Sequence, residues 1–230
     1  MRCKWIILNL ILAVSSQLVA QELGKKVNID FALNPGVQTK EVAKDKKISH
    51  ITGTFKLPAN NGKSFESEFQ LKLEKFTFWG AVTLGFSNST KSASKFAILI
   101  KRVRKVKACG VYPAPETTKQ VVKPFTQLKT GNYWFRFSWS APNRIIRWRI
   151  CDSEHNEIYD SGEVEPNARI DFDQFFISVS NARKIGAGEV SYNNNMGNLF
   201  FKSHVGIEKK VFPYLIEGNI DDLTIKYMDE

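Results

Sequence analysis

Cysteine, histidine and long apolar runs are all scarce in this chain of 230 residues. Three cysteines are too few for a disulfide-dense miniature scaffold. The three histidines, His50, His155 and His204, show no metal-ligand spacing with one another or with the cysteines. Beyond residue 20 no stretch approaches the roughly 20 apolar residues that a membrane helix needs, so no membrane span is expected. The sequence holds no G-x-S-x-G elbow, no phosphate-binding loop and no dinucleotide fingerprint, which removes the commonest hydrolase, nucleotide and hydride-transfer classes. It has no internal repeat and no apolar helical stripe longer than two turns. What it does have is 43% hydrophobic residues, with 17 Phe, 6 Tyr and 5 Trp, enough for a sizeable core of sheet-rich character.

The first twenty residues read as a secretory signal peptide. Arg2 and Lys4 form the positive n-region, Trp5 to Val14 the apolar h-region, and Ala20 ends a stretch suited to cleavage. Residues 21–230 are then expected to form a single exported domain. The character of the leader suggests a Gram-negative periplasm or exterior. Losing Arg2 and Lys4 and no acidic residue takes the net charge from +10 to +8. Loss of Cys3 leaves Cys109 and Cys151 as an even pair, and in an oxidising compartment one disulfide between them is expected.

From residue 27 onward, short β-patterned runs alternate with turn residues. They include 51–57, 66–73, 81–86, 96–106, 133–139, 145–151, 175–179, 199–204 and 220–227, punctuated by Asn34-Pro35-Gly36, Pro58-Ala59-Asn60-Asn61-Gly62 and Ala141-Pro142-Asn143. Many strands at short spacing predict an all-β sandwich, jelly roll or barrel. The segments 109–124, holding four Pro or Gly, and 181–198, rich in Asn and Gly, are expected to be loops.

The terminal run Gly218-Asn219-Ile220-Asp221-Asp222-Leu223-Thr224-Ile225-Lys226-Tyr227 resembles the closing strand of concanavalin A-like and laminin G-like jelly rolls. The stretches Gly131 to Trp134, Arg144 to Ile150, Asp160 to Glu163 and Ala81 to Asn88 resemble earlier strands of that superfamily. The resemblance implies a two-sheet antiparallel β-sandwich and, in function, a lectin, a carbohydrate-binding module, a glycoside hydrolase or a polysaccharide lyase. The carboxylate strand of the glucanase branch is missing. Of the alginate lyase strands only Leu199-Phe200-Phe201-Lys202-Ser203 offers an echo. A structural Ca²⁺ ion occurs in some members, and Asp221 and Asp222 are the candidate carboxylates for it. Strict strand alternation points the two to opposite faces, so they are not expected to share an ion.

The most informative segment is 133–151. As a hairpin turning through 140–144, it buries Tyr133, Phe135, Phe137 and Trp139 together with Ile146, Trp148 and Ile150 only in one register. That register sets Trp134, Arg136 and Ser138 beside Arg147, Arg149 and Cys151 on the other face. Like charges opposite one another require an offset: acids on adjacent strands, solvent or an anionic ligand. Guanidinium groups grip carboxylates and sulfate-like oxyanions in bidentate fashion, and indoles stack on sugar rings. Trp134, Arg136, Arg147 and Arg149 are therefore the candidate ligand-binding set.

A second basic run, Lys101 to Lys107, has the composition of a polyanion patch but reads more simply as a strand end in solvent. The expected function is carbohydrate binding, directed at an acidic polysaccharide, with no nucleic acid partner expected. The alternative is a small lyase cleaving uronic acid glycans by β-elimination. In that reading Tyr192 and His204 are the candidate bases and Lys202 the charge neutraliser.

Overall fold

The structure is a computed structural model that describes residues 26–228, with 30–36, 43–48, 77–79, 92–94, 104–106, 115–116, 119–123, 182–187, 194–197, 204–205, 208–209 and 212–215 outside the described set. The first twenty residues, Trp79 and His204 fall outside it. Among the described residues every regular element is a strand. In chain order these are β1 (Lys26–Asn28), β2 (Val37–Val42), β3 (Ser49–Lys56), β4 (Phe65–Phe76), β5 (Gly80–Ser87), β6 (Phe96–Arg102), β7 (Cys109–Pro113), β8 (Thr126–Leu128) and β9 (Gly131–Ser140). They continue with β10 (Ile145–Cys151), β11 (Glu157–Asp160), β12 (Gln174–Asn181), β13 (Gly188–Asn193), β14 (Asn198–Ser203), β15 (Gly206–Ile207), β16 (Lys210–Val211) and β17 (Ile216–Tyr227). No helix among the described residues is long and apolar enough to cross a membrane.

Two antiparallel sheets make a jelly-roll sandwich. The front sheet runs β11-β10-β9-β4-β17-β14-β13, with β1 added to β17, and the back sheet runs β2-β3-β12-β5-β6-β7-β8. Period-two alternation explains the layering. In β4, Phe65, Ser67, Phe69, Leu71 and Leu73 are buried while Glu66, Glu68, Gln70 and Lys72 face outward. The core lies between the sheets and is held by rings from both. Phe65 meets Phe86 at 5.3 Å, Phe69 meets Phe175 at 5.8 Å, and Phe96 meets Trp148 at 5.4 Å between ring centroids.

The ends of the sandwich are tied by polar contacts. The buried Asn60 accepts the Phe172 N–H at 2.7 Å and donates to the Lys63 carbonyl at 2.9 Å, fixing the 58–62 turn. The Tyr227 hydroxyl donates to the Pro58 carbonyl at 2.6 Å and anchors the last strand. Inside β5, Gly85 is required by its surroundings. Its φ of 150° and a would-be Cβ 2.3 Å from the Phe96 carbonyl oxygen leave no space for a side chain.

Two sequence expectations need correction here. The segments 109–124 and 181–198 are not wholly loop, since β7 and β13 lie within them and extend the back and front sheets. The expected Cys109–Cys151 disulfide is not formed, and both are free, buried thiols. Cys109 belongs to the core between the sheets. Cys151 lies opposite Trp134, on the outer side of the front sheet, so the thickness of that sheet stands between the sulfurs. Burial pushes the Cys109 thiol up to about 12, which leaves it inert at neutral pH.

Candidate functional site

The β9–β10 hairpin has the register that the alternation demands. Arg149 stands opposite Arg136, Trp148 opposite Phe137 and Ile146 opposite Trp139. Phe135, Phe137, Trp139, Ile146, Trp148 and Ile150 are buried. Trp134, Arg136, Arg147 and Arg149 share the outer face of the front sheet, and each is partly covered by its neighbours.

What offsets the three arginines comes from neighbouring strands. Glu68 of β4 stands opposite Arg136, whose Nε donates to its carboxylate at 3.3 Å. Asp160 of β11 takes Arg147 in a bidentate pair, with Nε donating to Oδ1 at 2.7 Å and Nη2 to Oδ2. This pairing holds the Asp160 carboxyl down at about 2. Arg149 lies between Arg136 and Asp160 in register and makes no ion pair among the described residues.

The depressed Asp160 value gives an acid-stability prediction. Its pairing stabilises the fold fully above the ordinary carboxylate range near 4 and is lost as pH falls through about 2. The gap in urea midpoint between the parent protein and Asp160→Asn is therefore expected to narrow steadily from pH 5 to pH 2. Parallel midpoint curves over that range would show that the pair contributes nothing.

On the same face lies a hollow of about 230 Å³. Arg136, Arg149 and Ser138 line it from the hairpin, Glu66 and Glu68 from β4, Thr224 and Lys226 from β17, and Lys26 from β1. Cross-strand register explains why these residues meet. One row runs Asp160, Arg149, Arg136, Glu68, Thr224, Asn28, and the next runs Arg147, Ser138, Glu66, Lys226, Lys26. Four cations and two carboxylates border the hollow, an excess of two positive charges. Lys26, Lys226 and Glu66, like Arg149, make no ion pair among the described residues.

The sequence-derived set is thus only partly assembled there. Arg136 and Arg149 border the hollow, whereas Arg147 is outside its lining and held by Asp160. Trp134 sits one register step beyond, and His155 is stacked on its indole at 4.7 Å between centroids and 23° between planes. Asp152 builds the turn that delivers His155. Its carboxylate accepts the Glu154 and Asn156 N–H groups at 2.9 and 3.0 Å, and the His155 backbone adopts φ 66°. The aromatic surface beside the hollow is therefore a Trp134–His155 pair and not a bare indole. Beneath it Cys151 is out of contact with solvent, and burial raises its thiol.

Lys26, Glu66, Glu68 and Lys226 escaped the sequence reading. Phe65-Glu66-Ser67-Glu68-Phe69 carried a usable signal, because its alternation already sets both glutamates on one outer face. That these face the arginines is a matter of strand order.

Of the residues of the lyase alternative, Lys202 is the one whose side chain is described. Tyr192 pairs with Leu199 and Lys202 with Glu189 across β13–β14. Leu199 is buried, and Lys202, three positions further on, alternates to the other face of β14. The Lys202 ammonium lies over the Phe200 ring, 5.4 Å from its centroid. The Tyr192 side chain and all of His204 lie outside what the structure describes. At Asp221 and Asp222 simple alternation fails, because β17 bulges between Asp221 and Thr224 and Asp222 adopts φ 53°. The Asp222 N–H donates to the Asp221 carboxylate at 2.9 Å. Among the described residues no three His, Cys, Asp or Glu side chains gather as a metal-ligand set.

No protein-family model matches the chain, and no curated protein matches it in sequence. Solved structures do. A sialidase chain superposes over 90% of this chain with a TM-score of 0.50 and 10% identity, and this chain spans 19% of that one. The CBM2 module of the evolved Dit of Lactobacillus casei BL23 phage J-1 matches over 79% of this chain and 70% of its own, with TM-score 0.44 and 11% identity. A basic winged bean lectin solved with Tn-antigen matches over 83% and 85%, with TM-score 0.40 and 10% identity. At such identities likeness speaks for fold alone. The fold is a two-sheet antiparallel β-sandwich of jelly-roll type.

Proposed function

We propose that this protein is an exported carbohydrate-binding protein that takes an acidic polysaccharide on the outer face of its front sheet. The observation that carries the reading is Arg149, an arginine without an ion-pair partner among the described residues, at the border of a hollow with an excess of two positive charges. A guanidinium in that position matches a carboxylate or sulfate oxyanion, while Ser138, Thr224 and the glutamates supply hydrogen-bonding groups suited to sugar hydroxyls. The Trp134–His155 pair beside the hollow adds an aromatic surface for a sugar ring. Export rests on the N-terminal sequence alone.

Affinity electrophoresis against uronate-containing, sulfated and neutral glycans, with duplex DNA as a competing polyanion, tests the reading. Retardation by the acidic glycans in preference to DNA and to the neutral glycans is the expected result. Retardation by none of them, or equally by DNA, contradicts it. Following the absorbance of unsaturated uronate in the same mixtures distinguishes binding from β-elimination, and binding without turnover is expected.

A further inference from the structure

The charges around the hollow are arranged in stripes along the strands. On the hairpin side β10 brings Arg149 and β9 brings Arg136. In the middle β4 presents Glu66 and Glu68. On the far side β17 and β1 bring Lys226 and Lys26, directly opposite each other. The order across the sheet is therefore cationic, anionic, cationic. Arg136 is engaged by Glu68, which leaves Arg149 on one bank and Lys226 with Lys26 on the other without ion-pair partners among the described residues. Glu66, opposite both Ser138 and Lys226 in register, is likewise unpaired and exposed between them.

Building on the acidic-glycan reading above, we infer that this hollow selects a saccharide whose anionic groups are spaced apart by neutral sugar, and discriminates against one that carries a charge on every ring. Arg149 and Lys226 stand on strands three spacings apart, about 14 Å between backbones at the usual strand separation. Their long side chains shorten the distance between the charges they contact, and one or two neutral rings bridge what remains. A neutral ring over β4 offers hydroxyl protons that Glu66 accepts. A carboxylate in the same place meets the Glu66 charge at close range, and like charges there are costly. A purely basic patch binds polyanions in proportion to their charge density, as counterion release dictates for nucleic acid. The central glutamates reverse that order of preference.

Two probes of equal length separate these cases: an oligosaccharide in which a uronate alternates with a neutral N-acetylhexosamine, and a homo-oligouronate. Isothermal titration at constant ionic strength is expected to give tighter binding of the alternating probe by about tenfold. In Glu66→Gln, a near-isosteric change at an exposed and unpaired position, the homo-oligouronate is expected to gain about tenfold while the alternating probe gains little. The melting temperature of the variant shows whether it remains folded, and Glu68→Gln provides a second variant on the same stripe. Tighter binding of the homo-oligouronate by the parent protein, or a ratio unchanged by both substitutions, overturns the charge-spacing selection and leaves acidic-glycan binding standing. Failure of both probes to bind, with sulfated glycans also giving no retardation in the electrophoresis, overturns both.

Discussion

Replacing Phe69 by alanine is expected to cost about 3–5 kcal/mol of stability, the range for truncating a buried aromatic ring. Phe69 is 0% exposed. Its ring stacks on Phe135 at 5.5 Å, meets Phe137 edge-on at 5.4 Å and reaches across to Phe175 of the back sheet at 5.8 Å. Truncation removes those contacts and opens a cavity at the join between the layers. For a domain of this size such a loss lowers Tm by roughly 10 °C, readable by circular dichroism. A loss below about 1 kcal/mol would mean that the two sheets are not held together at this ring. The neighbour Glu68 points the other way, so this change separates loss of fold from loss of site.

The second large effect concerns binding. Arg149→Gln is expected to weaken an acidic oligosaccharide by about 10–100-fold, because hydrogen bonds to charged groups contribute about 1.5–3 kcal/mol each and every 1.4 kcal/mol is tenfold. Arg147→Gln is expected to change affinity less than about twofold, since its guanidinium is occupied by Asp160 away from the hollow. This asymmetry between two arginines on one strand face is specific to the structure. Equal losses in the two variants, measured by titration calorimetry, would mean that general positive charge governs binding and not the hollow.

The hairpin register was legible in the sequence because seven apolar residues at two-residue spacing admit one arrangement with a single dry face. β7 and β13 were not legible. Gly110 and Pro113 in the first, and the Asn-rich surroundings of the second, mimic loop composition, while the pairing that makes them strands comes from β6 and β14. An even cysteine count pairs Cys109 with Cys151, but the two occupy different sides of the front sheet. The parity that sets Cys151 beside Arg147 and Arg149 already placed it on the outer side, away from the core that holds Cys109. At the site, the arginines were found by pattern. Their partners Glu68 and Asp160 depend on β4 and β11 flanking the hairpin, and Lys26 and Lys226 on β1 joining β17, which no local spacing encodes. The stacking of His155 on Trp134 depends on a turn shaped by Asp152.

The central claim is that acidic glycan is received on the outer face of the front sheet, and the most direct measurement is mapping of backbone amide shifts by NMR while an alternating uronate oligosaccharide is titrated in. The account predicts saturable changes gathered at Arg136, Ser138, Arg149, Thr224 and Lys226, with Thr83, Leu99 and Tyr112 of the back sheet unmoved. Changes gathered on the back sheet, or small shifts scattered over all lysines that vanish with added salt, would contradict it.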